Sequence, residues 1–286
     1  MNHPNGYKAN LSRLSDHLRR LSIERNFQTS PTVLQEIQIY IQEELESCGF
    51  EVRREPFLFQ GQSFSNLAAW LPEGLSSPRF IIGAHFDSVP GSPGADDNAS
   101  GIAALLESAR LFSQSPRPGV EFVAFNLEEY GMIGSRAYVQ KLKGQNSQVA
   151  GMLSLEMVGY TSKEKGSQKM PFFLKPFYPD VGNFIGLVAN QASVSFLKRM
   201  EKIFRGVDGL PVESLILPGK GGIFPEARLS DHSPFWDEGY PALLVTDTSF
   251  FRNPHYHEET DTVETLDLEF IGKVTEAAAR SALSSF

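Results

Sequence analysis

Short apolar runs that stop abruptly at an acid or an imidazole recur along this chain, with segments of helical periodicity between them. Phe80-Ile-Ile-Gly-Ala leads into His85, the run at 120–126 leads into Glu128-Glu129, and the run at 150–155 leads into Glu156. Runs so short and so uniformly apolar suit strands buried on both faces, as in sheets covered by helices. Between them the spacing predicts helices over 99–112, 135–142, about 194–204 and 268–283, the last with Ile271, Val274 and Ala278 on one side. Another helix starts at Ser30-Pro31, runs to about Cys48 and stops at Gly49, with Ile37, Tyr40, Ile41, Leu45 and Cys48 on one face. Further strands are expected at 51–59, 66–71, 79–87 and 241–246. Strand alternating with helix argues an α/β fold of three layers, α/β/α, around a central mostly parallel mixed sheet. From Tyr160 to Leu229 the pattern is less regular, holding a basic polar loop, an aromatic segment and the glycine-rich loop Gly219-Lys-Gly-Gly222. No repeat or long polar linker divides the chain, so residues 1–286 read as a single domain.

Composition narrows the function classes. Hydrophobic residues make up 41% of the chain, enough for one large core. Acids outnumber bases 34 to 26, which argues against a nucleic acid or an anionic membrane as partner. Cys48 is the one cysteine and cannot close an internal disulfide, which fits a reducing compartment. The N-terminal segment has no apolar signal-like stretch and no run approaches a membrane span, so a cytoplasmic location is expected. A secreted protein trimmed of its signal would read the same way. Oligomeric state is not legible.

In such sheets ligands bind at the carboxyl ends of the strands, where the terminal acids and imidazoles would lie. His85-Phe-Asp87 places an acid two residues beyond an imidazole on the same face, so Asp87 can orient the His85 ring. Taken alone this also fits a structural histidine. Gly94-Ala-Asp-Asp-Asn-Ala-Ser-Gly101 is a polar turn feeding a helix, able either to bridge two metals or simply to cap that helix. Glu128-Glu129 can divide between ligation and general-base work, or be solvated. Glu156 is a lone acid in an apolar run and needs a partner or a metal, because an unpaired buried carboxylate is costly. His257 follows Tyr256 near the C-terminus, and Asp231-His232 opens the segment before it. His3 and His17 read as solvated. Two imidazoles, one carboxylate to bridge and one more carboxylate per metal form the inventory of a two-metal hydrolytic site.

In order and spacing these motifs resemble the co-catalytic dinuclear zinc aminopeptidase family, the superfamily of bacterial leucyl aminopeptidases, glutamate carboxypeptidase and glutaminyl cyclase. The likeness runs from about Phe80 to Asp267 and implies the zinc exopeptidase, phosphorylase/hydrolase-like fold. It implies two Zn2+ ions per chain, one held by His85 and Glu156, the other by Glu129 and His257, with Asp97 rather than Asp96 bridging them. Glu128 matches the general base, Tyr256 the oxyanion helper, and Asp87, Asp231 and His232 groups behind or beside the ligands, although His232 also fits a satisfied core histidine. The Asp97–Asn98 peptide is expected to be cis. Glu156 departs from the aspartate common at its position, which puts the native metal in question.

The activity implied is metal-dependent hydrolysis of an N-terminal peptide bond, with a peptide or small amide as substrate. A glutaminyl cyclase-like acyltransferase and a carboxypeptidase are alternatives on the same scaffold, and a non-catalytic binding homologue is a third class. The residues do not fix exopeptidase direction or side-chain preference. Phe172, Phe173, Phe177, Phe224, Phe250 and Phe251 lie in loops that could border an apolar first-residue pocket or seal a core. No G-x-S-x-G elbow, Walker A or G-x-G-x-x-G motif occurs, which disfavours serine hydrolase and nucleotide-dependent chemistry.

Overall fold

The computed structural model describes residues 7–72, 74, 76–172 and 174–284. Its described strands form one eight-stranded sheet. The strands are β1 (Glu51–Phe59), β2 (Gln62–Trp70), β3 (Arg79–His85), β4 (Val120–Phe125), β5 (Val149–Glu156), β6 (Ile185–Asn190), β7 (Val212–Leu217) and β8 (Ala242–Thr246). Their order across the sheet is β1-β2-β4-β3-β5-β8-β6-β7. The four central strands β4, β3, β5 and β8 are mutually parallel, β1 and β2 form an antiparallel hairpin on one side, and β6 runs antiparallel to β8 on the other. Gln60 and Gly61 both take positive φ, the backbone a tight hairpin turn requires, so β2 starts earlier than its apolar half suggests.

The helices are α1 (Leu11–Leu21), α2 (Pro31–Ser47), α3 (Gly101–Phe112), α4 (Ile133–Gly144), α5 (Val194–Arg205), α6 (His232–Asp237) and α7 (Leu268–Leu283). They cover both faces, because successive strand residues point to opposite sides. Ile82, Phe122 and Leu153 pack in a core shared with α1, α2, α3, α5 and α7, while Ile81, Val123 and Met152 pack with α4 and α6. Two continuous apolar layers on one sheet are what the uniformly apolar strands predicted.

α1 corrects the expectation for His17. Leu11, Leu14, Leu18 and Leu21 recur at helical spacing in a polar segment, and Asn10 caps the helix by accepting the Arg13 N–H at 3.2 Å. His17 lies on the inward face, buried, with Nδ1 2.6 Å from the Tyr40 hydroxyl. Burial lowers its pKa, against the opposing charge of Glu44. His3 and Phe173 lie outside the described residues. No helix among those described is long and apolar enough to cross a membrane.

Candidate active site

Because β4, β3, β5 and β8 run parallel side by side, their carboxyl ends open on one edge of the sheet. His85 is the last residue of β3 and Glu156 the last of β5, Glu128 and Glu129 follow β4, and His257 lies in the loop beyond β8. Asp97 sits in an irregular turn between β3 and α3 whose Asp97–Asn98 peptide is cis, the geometry the family resemblance implied. α3 therefore starts at Gly101 rather than residue 99.

Side chains from distant segments hold this turn. The Asp261 carboxylate accepts the N–H groups of Asp96 and Asp97 at 2.9 and 3.1 Å. Asn98 donates to the Leu155 carbonyl at 2.9 Å and accepts from the N–H groups of Met157 and Gly101. Gly94 has φ of 60°, and a Cβ there would run into the Asp97 carbonyl and the Arg25 guanidinium, so only glycine lets the chain enter the turn.

The two oxygens of Asp97 face different imidazoles. His85 Nε2 is 3.2 Å from Oδ1, and His257 Nε2 is 3.1 Å from Oδ2. Glu156 approaches His85 Nε2 at 3.3 Å, and Glu129 approaches His257 Nε2 at 3.2 Å. Two donor groups result, His85 with Asp97 and Glu156, and Asp97 with Glu129 and His257, each with its donor atoms within 4.8 Å of one another. Glu128 Oε2 stands farther off, 4.0 Å from His85 Nε2, and lines the adjoining cavity. Tyr256 stacks on the His257 ring with centroids 3.7 Å apart and lines the same cavity.

The donor set fits divalent cations of the zinc type. Its atoms are imidazole nitrogens and carboxylate oxygens, and Glu129 Oε1 is buried with no hydrogen-bond partner. Burial, and then the charge of Asp97, raise the Glu129 pKa to about 8. Burial also raises Glu128 and Glu156, with neighbouring carboxylates adding to it and His85 opposing. For Asp97, hydrogen bonds from His257 and His85 outweigh burial and hold its pKa low. At His257 burial lowers the pKa, but hydrogen bonds to Asp97 and Glu129 carry it up to about 10. So many buried anions around two imidazoles call for positive charge between them.

The structure gives Asp87 a second task. Its carboxylate lies 3.5 Å from His85 Nδ1, and its two oxygens accept the backbone N–H groups of Glu128 and Glu129 at 3.0 and 3.2 Å. One acid thus ties the β3 imidazole to the turn carrying both glutamates. Asp231 is fully buried, close enough for His85 and Glu156 to bear on its charge, and burial raises it to about 7. Of the two readings open to His232, the core histidine is the one that fits its surroundings. Its Nε2 lies 2.9 Å from the Ala227 carbonyl and its ring meets Trp236 edge-on at 4.4 Å. It is a core imidazole that props a cavity-wall residue, and burial lowers its pKa to about 3.

Sequence reasoning passed over several supporting groups. Asp247 follows the apolar strand β8, the same signal that singled out the other acids. It accepts the N–H groups of Tyr160 and Ser249 and is hydrogen-bonded to Asp96. Asp96 also takes Asn253 Nδ2 at 2.7 Å, so it points away from Asp97 into a separate network. Ser230 donates to Glu156 Oε2 at 2.8 Å, which partners the added length of that side chain. Arg25 is fully buried and donates to the carbonyls of Leu21, Ile23, Phe86, Pro93 and Gly94, clamping the segment after α1 onto the loops beside the site. No local pattern marks it.

A helix-covered sheet with imidazoles and carboxylates converging at its strand ends is the scaffold of a metallopeptidase. The chain belongs to peptidase family M28, whose model matches residues 66–282. It is 34% identical over 252 residues to the uncharacterized protein YfbL of Escherichia coli K12, covering 83% of this chain and 76% of that one. Leucine aminopeptidase 1 of Ajellomyces dermatitidis is 29% identical over 270 residues, which cover 88% of this chain but 63% of that protein. Among solved structures, the LapA aminopeptidase of Legionella pneumophila superposes with a TM-score of 0.76 at 20% identity, over 96% of this chain and 71% of LapA. The zinc aminopeptidase BSAP of Bacillus subtilis gives 0.57 at 28% identity, over 79% of this chain and 50% of BSAP. The glutaminyl cyclase of Tannerella forsythia gives 0.70 at 20% identity, over 98% and 100%.

Proposed function

We propose that this protein is an aminopeptidase that works with two zinc ions. The observation that carries this reading is Asp97, whose two oxygens face two different imidazoles, each group completed by one further glutamate. His85, Asp97 and Glu156 would hold one ion, and Asp97, Glu129 and His257 the other. Bound there, the ions supply Lewis acidity that acidifies a water and polarises a scissile carbonyl. Glu128, left out of both groups and facing the cavity, accepts the proton of the attacking water and returns it to the leaving amine. The Tyr256 hydroxyl stabilises the oxyanion.

Cleavage at the amino end is supported by the cavity beside these residues. The charged groups lining it are Asp97, Glu128, Glu129, Glu156, Glu213 and Glu226, with no lysine, arginine or histidine among the described lining residues. Such a wall receives an α-ammonium and repels the free carboxylate that a carboxypeptidase must bind. Glutaminyl cyclisation asks for the same amino end, and metal stoichiometry with an N-terminal glutaminyl peptide separates the two. The deciding test is a panel of aminoacyl-anilides assayed with metal-depleted and zinc-restored protein. Zinc-dependent cleavage of one or more members is expected, with two zinc ions bound per chain. A panel left intact while the glutaminyl peptide cyclises would replace this reading with the cyclase.

A further inference from the structure

The cavity floor is a face of the sheet, and the strand register shows what lies along it. Glu156 pairs with Thr246, Thr246 with Gly186, and Gly186 with Glu213, so one row crosses β5, β8, β6 and β7. At a strand spacing of about 4.8 Å, Glu213 stands roughly 14 Å from Glu156 along that row. The neighbouring row on the same face contributes Leu244, Val188 and Leu215, and all three line the cavity. Gly186 puts no side chain between Thr246 and Glu213, leaving the path along the row open. A Cβ there would sit 3.2 Å from the Thr246 carbonyl. The result is a trough with an apolar floor, carboxylates at the catalytic end and Glu213 at the far end of the row.

Among the described residues, no hydrogen bond or ion pair engages the Glu213 side chain. Burial raises its pKa, and Arg205, whose charge opposes that rise, is itself held by Glu201 at 2.9 Å. Tyr178, also on the wall, spends its hydroxyl on the Ser214 carbonyl at 2.8 Å. A half-buried carboxylate facing an apolar trough, with its neighbours already committed, matches a cation carried on a long apolar stem.

The geometry points to a first-residue pocket for arginine or lysine, with Glu213 receiving the side-chain cation and the row of Leu244, Val188 and Leu215 packing its methylenes. This rests on the aminopeptidase reading for turnover but not for binding, so binding and turnover are both measured. Calorimetric titration of zinc-loaded Glu128→Gln protein, in which amide turnover is suppressed, with argininamide, lysinamide and norleucinamide should show the basic amides binding at least tenfold more tightly. In Glu213→Gln that ratio should fall to near one, and in Glu213→Lys it should invert. The ratios of kcat/KM for arginyl- and norleucyl-anilides should follow the same order. Equal affinity of the three amides, or an unchanged ratio in Glu213→Gln, overturns the assignment. Intact binding preference with no cleavage of any anilide supports the pocket and sinks the aminopeptidase reading instead.

Discussion

Glu128 and Glu129 are adjacent acids that do different work because one backbone bond separates their directions. Glu129 reaches His257 and keeps a second, unpartnered oxygen, whereas Glu128 stops 4.0 Å from His85 at the cavity wall. Replacing Glu128 by glutamine should leave the zinc content unchanged and lower kcat by about 10²–10⁴-fold, since only the proton acceptor is lost. Metal analysis alongside steady-state kinetics checks both halves, and ordinary turnover would remove Glu128 from the mechanism. His232 gives a prediction of another kind. Its pKa falls from 6.5 to about 3 on folding, so between those values the unfolded chain binds a proton that the folded one does not. Stability is therefore lost as pH drops through that window, by up to about 1.4 kcal/mol per pH unit. His232→Gln keeps a donor for the Ala227 carbonyl but cannot ionise, so its urea-unfolding free energy should decline less steeply with acid than that of the wild type. Parallel declines would mean that this imidazole is not held neutral. Nothing local separates a core His232 from one standing behind the ligands, because only its neighbours in the fold differ.

At the scale of elements, the turn between β3 and α3 is shaped from outside itself. Asp261 accepts two of its N–H groups, and Asn98 ties it to the end of β5 beside Glu156. In Asp261→Asn one acceptor becomes an amide donor facing an N–H, so the turn must shift and carry Asp97 with it. Zinc affinity should fall about 10–100-fold with the circular-dichroism spectrum unchanged, as expected when a group behind the ligands is lost. Equilibrium dialysis measures this, and wild-type affinity would show that the turn holds its shape unaided. The central strands were legible because burial on both faces writes an uninterrupted apolar run. β6 and β7 were not. Gly186 breaks one run, and Glu213 and Ser214 interrupt the other, since β7 lies at the sheet edge and lines a cavity. α1 was missed for the opposite reason, its four leucines being outnumbered by polar residues on the solvent side.

Across the whole molecule, the proposed ligands come from five separate stretches of chain, and cations between them would bind the folded state alone. A chelator should lower the melting temperature by several degrees and zinc should restore it, because ligand at a hundred times its Kd adds about 2.7 kcal/mol. Scanning calorimetry with and without chelator reads this directly. A melting temperature indifferent to metal would mean that the crowded carboxylates are stable without cations. Sequence alone determined the alternation of apolar strands and helices, and with it a covered sheet whose strand-end acids share one edge. The choice of Asp97 over Asp96 came from the family resemblance that the motif around it carries. These are local properties, written in the spacing of residues near one another in the chain. Only the tertiary structure decided that each oxygen of Asp97 meets a different imidazole and that Asp87 holds both glutamates by their backbone. It alone buried His17 and His232, and set Glu213 at the end of the row that starts at Glu156. Those outcomes depend on the register between strands far apart in sequence, where a shift of one residue turns every side chain to the other face.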